Sequence, residues 1–217
     1  MRKQLLGIEE LKISQMYRSL GLEGGAPRIL KIVSYLLETR VHSNEKRIEA
    51  GEAESTLTLF DGVRAPSLPI WEYVERIWKY ASCSPSCFVV AHIYINRYLQ
   101  KTGVLLTSFN VHRVLITSVL LAAKFLDDAL YNNAYYAKVG GVSTCELNKL
   151  EVKYLLSLDF RVHVDVATFQ EHCMMMCASS IDGLLGPIEK PIQACRIKEN
   201  WFVIDDSNSC SSSRIAR

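Results

Sequence analysis

The chain has 217 residues, of which 49% are hydrophobic and 22% charged, with 25 basic residues against 23 acidic ones. The apolar share suffices for one domain with a sizeable core and excludes the low-hydrophobicity, high-charge regime of disordered chains. The near-balanced charge gives no global field for nucleic acid or an anionic membrane, and neither is expected as a partner.

In chain order, apolar residues recur at helical spacing with little sign of strand alternation, so the class is all-α. Gly24-Gly25-Ala26-Pro27 leads into a helix with Pro27 at its first position, and Ile29, Ile32, Val33, Leu36 and Leu37 form its apolar stripe. Residues 43–66 turn charged and polar and contain Gly51 and Gly62. They are expected to form an exposed linker that packs locally through Leu57, Leu59 and Phe60.

Five main helices should follow. The first covers residues 67–81, with Ile70, Tyr73, Val74, Ile77 and Ala81 inward and the pairs Glu72/Arg76 and Glu75/Lys79 on the other face. Ser84 as hydroxyl N-cap and Pro85 at the first position open the second, which runs to Lys101 with Phe88, Ala91, Ile95 and Leu99 inward. The third, residues 108–127, is apolar on nearly all sides and must be surrounded by other helices. Its longest apolar run, residues 114–123, falls short of the roughly 20 residues that span a bilayer. Gly140-Gly141 ends the loop that follows, and a capping box of Ser143 and Glu146 opens the fourth helix. That helix runs to Leu158 with Leu147, Leu150, Tyr154 and Leu158 inward. The fifth begins at Asp165, with Val166, Phe169, Cys173 and Met176 inward. After it, Gly183, Gly186, Pro187 and Pro191 break helices, Trp201-Phe202-Val203-Ile204 is a short apolar run, and residues 207–213 are serine-rich. A partly disordered tail is expected there.

Seven cysteines, an odd number scattered through helices, fit reduced thiols in an intracellular protein of the nucleus or cytoplasm, and no secretory signal pattern opens the chain. Cys83/Cys87 and Cys173/Cys177 are each four apart, with His172 beside the second pair, a spacing that could ligate zinc if both pairs met. Cys83 precedes the helix start, so buried thiols filling core gaps are expected instead, with no metal and no cofactor. Glycine-rich phosphate loops, HExxH and nucleophile elbows are all missing, and no enzymatic activity is expected.

The segments FDGVRAPSLPI (residues 60–70), YVERIWKYASCSPSCFVVAHIYINRY (73–98), SVLLAAKFLDD (118–128) and KVGGVSTCELNKLEVKYLLSLDF (138–160) stand in this order. Together they resemble the cyclin box of the plant U/P-type cyclins and their fungal phosphate-pathway relatives. The resemblance implies a single five-helix cyclin box over residues 67–178, preceded by an extra N-terminal helix and linker (1–66) and followed by the tail (179–217). Too little sequence follows Ala178 for a second box. It further implies a regulatory subunit that binds and activates a cyclin-dependent protein kinase, A-type or similar, as a heterodimer, in cell-cycle or nutrient-linked control. A cyclin-fold adaptor for a non-kinase partner is the alternative.

By the same resemblance, Lys124 and Glu151 would grip backbone groups leading into the kinase's regulatory helix. Leu121, Phe125, Leu126, Phe169 and Met176 would supply the apolar part of that surface, made by the third and fifth helices. Two departures stand out. Asn96 precedes Arg97 where an acid is usual, which removes an ion pair or leaves a neutral hydrogen bond, and the first helix lacks the arginine-containing patch with which mitotic cyclins dock substrates.

Overall fold

Three prolines mark the starts of the first helices. Pro27 and Pro69 hold extended backbone immediately before helices α1 (Arg28–Glu49) and α2 (Ile70–Ala81), and Pro85 occupies the first turn of α3 (Pro85–Thr102). The computed structural model describes residues 27–128 and 131–179, and the remaining helices there are α4 (Val111–Leu126), α5 (Asn133–Gly140), α6 (Thr144–Ser157) and α7 (Val166–Ser179). The described residues form an all-α single box with an extra N-terminal helix. The expected tail disorder concerns residues outside the described ones.

α4 is the axle of the bundle. Every residue from position 114 to 123 is buried, and α3 packs along it, itself buried continuously from Ser86 to Ile95. Thr117 and Ser118 enter this apolar centre by donating their hydroxyls to the carbonyls of Arg113 and Val114, each at 2.7 Å, which satisfies them within their own helix. Aromatic rings fill the space between layers: Phe60 stands edge-on to Tyr98 and to Tyr154, which stack on each other at 4.9 Å.

The structure revises several expectations. α1 does not stop near position 42 but continues through residues 43–49. The reason is polar: Asn44 donates to Leu106 O at 2.9 Å, and Glu45 accepts from Ser108 N at 2.8 Å. These bonds tie the helix to the loop ahead of α4 without an apolar stripe. In the linker only Phe60 packs; Leu57 is 90% exposed and Leu59 half exposed. The loop before Gly140-Gly141 contains the short helix α5, capped by Asn132, whose side chain accepts from Tyr135 N. Gly140 lets α5 press on α4, since a Cβ there would lie 2.8 Å from Ile116 Cγ1, and Gly141 ends α5 at φ 72°.

Ser84 does not cap α3 through its hydroxyl, which instead lies 3.4 Å from Cys87 Sγ. The Asp127 carboxylate takes that role from across the bundle, accepting from Ser84 N at 2.9 Å and from Cys87 Sγ at 3.2 Å. Ser143 caps α6 as expected, accepting from Glu146 N, but the Glu146 carboxylate turns to Arg113 Nε at 2.6 Å. Asp165 caps α7 by accepting from Thr168 N at 2.7 Å, while Val166 faces outward.

Candidate functional site

The end of α4 and the middle of α6 bring the two charged candidates together. Lys124 Nζ lies 2.5 Å from Glu151 Oε1, and Glu151 Oε2 accepts from Asn133 Nδ2 at 2.7 Å. Asn133 also donates to Asn148 Oδ1 at 2.8 Å, so α4, α5 and α6 meet in one polar cluster. Lys124 sits in the last turn of α4, where a cation meets the negative end of the helix dipole. The same segment carries Asp127, whose carboxylate fixes the start of α3, so the turn that presents Lys124 is tied at both ends.

Donor counting shows what the cluster offers. Both Glu151 oxygens are engaged and its side chain is 13% exposed, whereas Lys124 is 34% exposed. An ammonium carries three N–H donors, and one of them serves Glu151. The ammonium that carries the remaining donors belongs to a side chain one-third exposed, so further acceptors can reach it.

The apolar candidates divide. Phe125 is exposed and Leu126 half-buried beside Lys124, available to a partner. Leu121, Phe169 and Met176 are buried in the core and present no surface, because the inward faces of α4 and α7 pack on the bundle itself. On α7 the exposed large apolar side chains are Val166 in the first turn and Met174 and Met175, neighbours of the buried Met176. The Met174-Met175-Met176 run could have flagged the two methionines, since methionine suits adaptable binding surfaces.

A further aromatic escaped sequence reasoning. Phe160, 62% exposed, stands in the turn after α6 with φ 56°, next to Asp159 at φ 49°. Two consecutive left-handed residues other than glycine are costly, and such strain collects where a side chain must be held in place. No periodicity marks this position.

Asn96 makes no ion pair but accepts from the Arg40 guanidinium, Nη1 at 3.1 Å, so the bond is charge-assisted and not the neutral one expected. Arg97 Nη1 donates to Arg161 O at 3.0 Å and His163 O at 2.9 Å, anchoring the α6–α7 loop to α3. Of the described cysteines, Cys83, Cys87 and Cys173 are buried in the core, Cys177 is half-buried and Cys145 is exposed. The neighbouring Cys83 thiol and burial push the Cys87 thiol well above its ordinary range, and burial pushes Cys173 up to about 12. Both are poor nucleophiles and poor metal ligands as they stand. Among the described residues no three His, Cys, Asp or Glu side chains converge on a metal-sized site.

A family model described as Cyclin matches residues 28–162, from the first residue of α1 to beyond Phe160. The chain is 47% identical over 207 residues to Cyclin-U3-1 of Arabidopsis thaliana, covering 91% of this chain and 92% of that one. To Cyclin-P3-1 of Oryza sativa subsp. japonica it is 45% identical over 193 residues, covering 85% and 80%. To Cyclin-U1-1 of Arabidopsis thaliana it is 49% identical over 153 residues, covering 70% and 73%. With α4 at the centre of an all-helical box and the match spanning both Lys124 and Glu151, the chain belongs to the cyclin family and resembles its plant U- and P-type members.

Proposed function

We propose that this chain is the activating subunit of a cyclin-dependent protein kinase, A-type or similar, in cell-cycle or nutrient-linked control within the nucleus or cytoplasm. Cyclins are regulatory proteins, and the family supports a kinase partner in general. The observation that carries the reading is the Lys124–Glu151 cluster: a satisfied carboxylate orients an ammonium that keeps donors for backbone carbonyls. Phe125 and Leu126 flank it, and Phe160 after α6 and Met174 and Met175 on α7 are further exposed apolar side chains.

Such a surface activates by differential affinity. In an inactive kinase the glutamate of the regulatory helix is kept from the strand lysine that orients the ATP phosphates. A subunit that holds this helix inward binds the active arrangement better than the inactive one and shifts the population by that difference.

The test is a pull-down and kinase assay with purified chain and an A-type cyclin-dependent kinase, using Lys124→Ala combined with Glu151→Ala. Removing both partners avoids stranding the Glu151 charge. Lost charge-assisted hydrogen bonds should weaken binding by roughly 10- to 100-fold, while stability changes by less than about 1 kcal/mol, since the pair is partly exposed. Unchanged kinase binding by the folded double variant would move the docking face away from this cluster, and no kinase binding by the parent chain would point to a cyclin-fold adaptor instead.

A further inference from the structure

The outward side of α6 carries a shallow, open hollow of about 640 Å³ lined by Cys145, Asn148, Lys149, Val152, Lys153 and Leu156, all of this one helix. Its floor is apolar: Val152 and Leu156, one turn apart, are each 56% exposed, while the opposite side of the helix buries Leu147, Leu150 and Tyr154. Lys149 and Lys153 border it, and neither forms an ion pair among the described residues. An occupant should therefore be apolar and carry acids at one end.

The chain itself supplies that chemistry. Residues 201–206 read Trp-Phe-Val-Ile-Asp-Asp, the only run of four consecutive apolar residues after Ser179, followed directly by two acids. We propose that residues 201–206 dock on this face of α6, with alternate apolar side chains of the run against Val152 and Leu156 and an acid of Asp205-Asp206 toward the lysines.

Lengths agree. The eleven-residue rise from Cys145 to Leu156 is about 16 Å at 1.5 Å per residue, and six residues in extended form span roughly 20 Å. The residues between Ser179 and Trp201 can stretch to roughly 70 Å, several times the ~15 Å radius of gyration of a domain this size. The tether thus reaches the hollow and raises the segment's local concentration toward the millimolar range.

Docking there has a consequence that rests on the proposed function. Asn148 lines the hollow and belongs to the Lys124–Glu151 cluster, so an occupied hollow abuts the face offered to the kinase. The tail would then compete with the partner.

The experiment needs no kinase, which keeps its outcome separate from that reading. Cys145 is exposed at one end of the hollow, and Cys210 lies four residues past Asp206. The full chain at low concentration is treated with bismaleimidoethane and its joined peptides are mapped by mass spectrometry. A Cys145–Cys210 link within one chain is expected. Its yield should fall at least about fivefold in Val152→Lys/Leu156→Lys and again in Trp201→Ala/Phe202→Ala, with a far-UV circular dichroism melt of each variant matching the parent's. A link that joins two chains, or a yield unmoved by either pair, overturns the proposal.

Discussion

Ser118 and Tyr154 show how a polar contact survives at the centre of an apolar core. Ser118 Oγ lies 2.7 Å from both Val114 O and Tyr154 Oη, and burial holds the Tyr154 phenol far above its ordinary range, fully protonated. Ser118→Ala strands a buried phenol and should cost about 1–3 kcal/mol, whereas Tyr154→Phe leaves the Ser118 hydroxyl bonded to Val114 O and should cost about 0.5–1.5 kcal/mol. Urea denaturation of both variants checks the order, and a larger loss for Tyr154→Phe would overturn the argument. Neither residue was legible as a pair in the sequence, since they lie on different helices. Periodicity assigned Tyr154 inward and went no further. Lys124 and Glu151 illustrate the same boundary from the other side: a lysine ending a helix and a glutamate within one are ordinary features, and only the ordered motifs around them singled them out. Leu121, Phe169 and Met176 were assigned to a docking surface by the resemblance, whereas helical spacing had already turned Phe169 and Met176 inward, where the structure buries them.

Helices whose ends carried capping chemistry were readable where an apolar stripe accompanied it. α3 and α6 match their expected spans closely, and the all-apolar α4 announced its central position. α5 was missed because eight residues give barely two turns of period, although Asn132 and Gly141 already bracketed it. The coupling of α7 to α3 was likewise invisible, because it runs through histidines. His92 Nδ1 lies 2.8 Å from His172 Nε2, and desolvation lowers His92 to about 3 and His172 to about 4. Both are neutral in the fold and titrate near 6.5 when unfolded, so below that value the unfolded chain binds more protons than the native one. Stability is complete above about pH 6.5 and is lost as pH falls toward 4, with about two protons taken up on unfolding. His92→Gln should flatten that fall relative to the parent chain, measured by urea denaturation across the range; parallel pH profiles would sink the assignment.

The bundle closes without help. α4 is surrounded by this chain's own helices, and the core extends from Ile29 on α1 to Met176 on α7, so burial does not wait for a partner. The candidate docking face lies outside that core, in Lys124, Phe125, Phe160 and the exposed methionines, and its removal from water on binding adds to a fold already formed. The isolated chain should therefore unfold in one cooperative transition. A kinase that binds only the folded form should stabilise it by RT ln(1 + [L]/Kd), about 2.7 kcal/mol when the free kinase is at 100 times Kd. Thermal unfolding followed by a label on the cyclin chain reads this directly. The midpoint should climb with kinase concentration for the parent chain and climb much less for Lys124→Ala/Glu151→Ala at the same concentrations. An isolated chain that melts without cooperativity would mean that the core is completed by the partner, and equal midpoint shifts for parent and double variant would move the docking face away from the α4–α6 cluster.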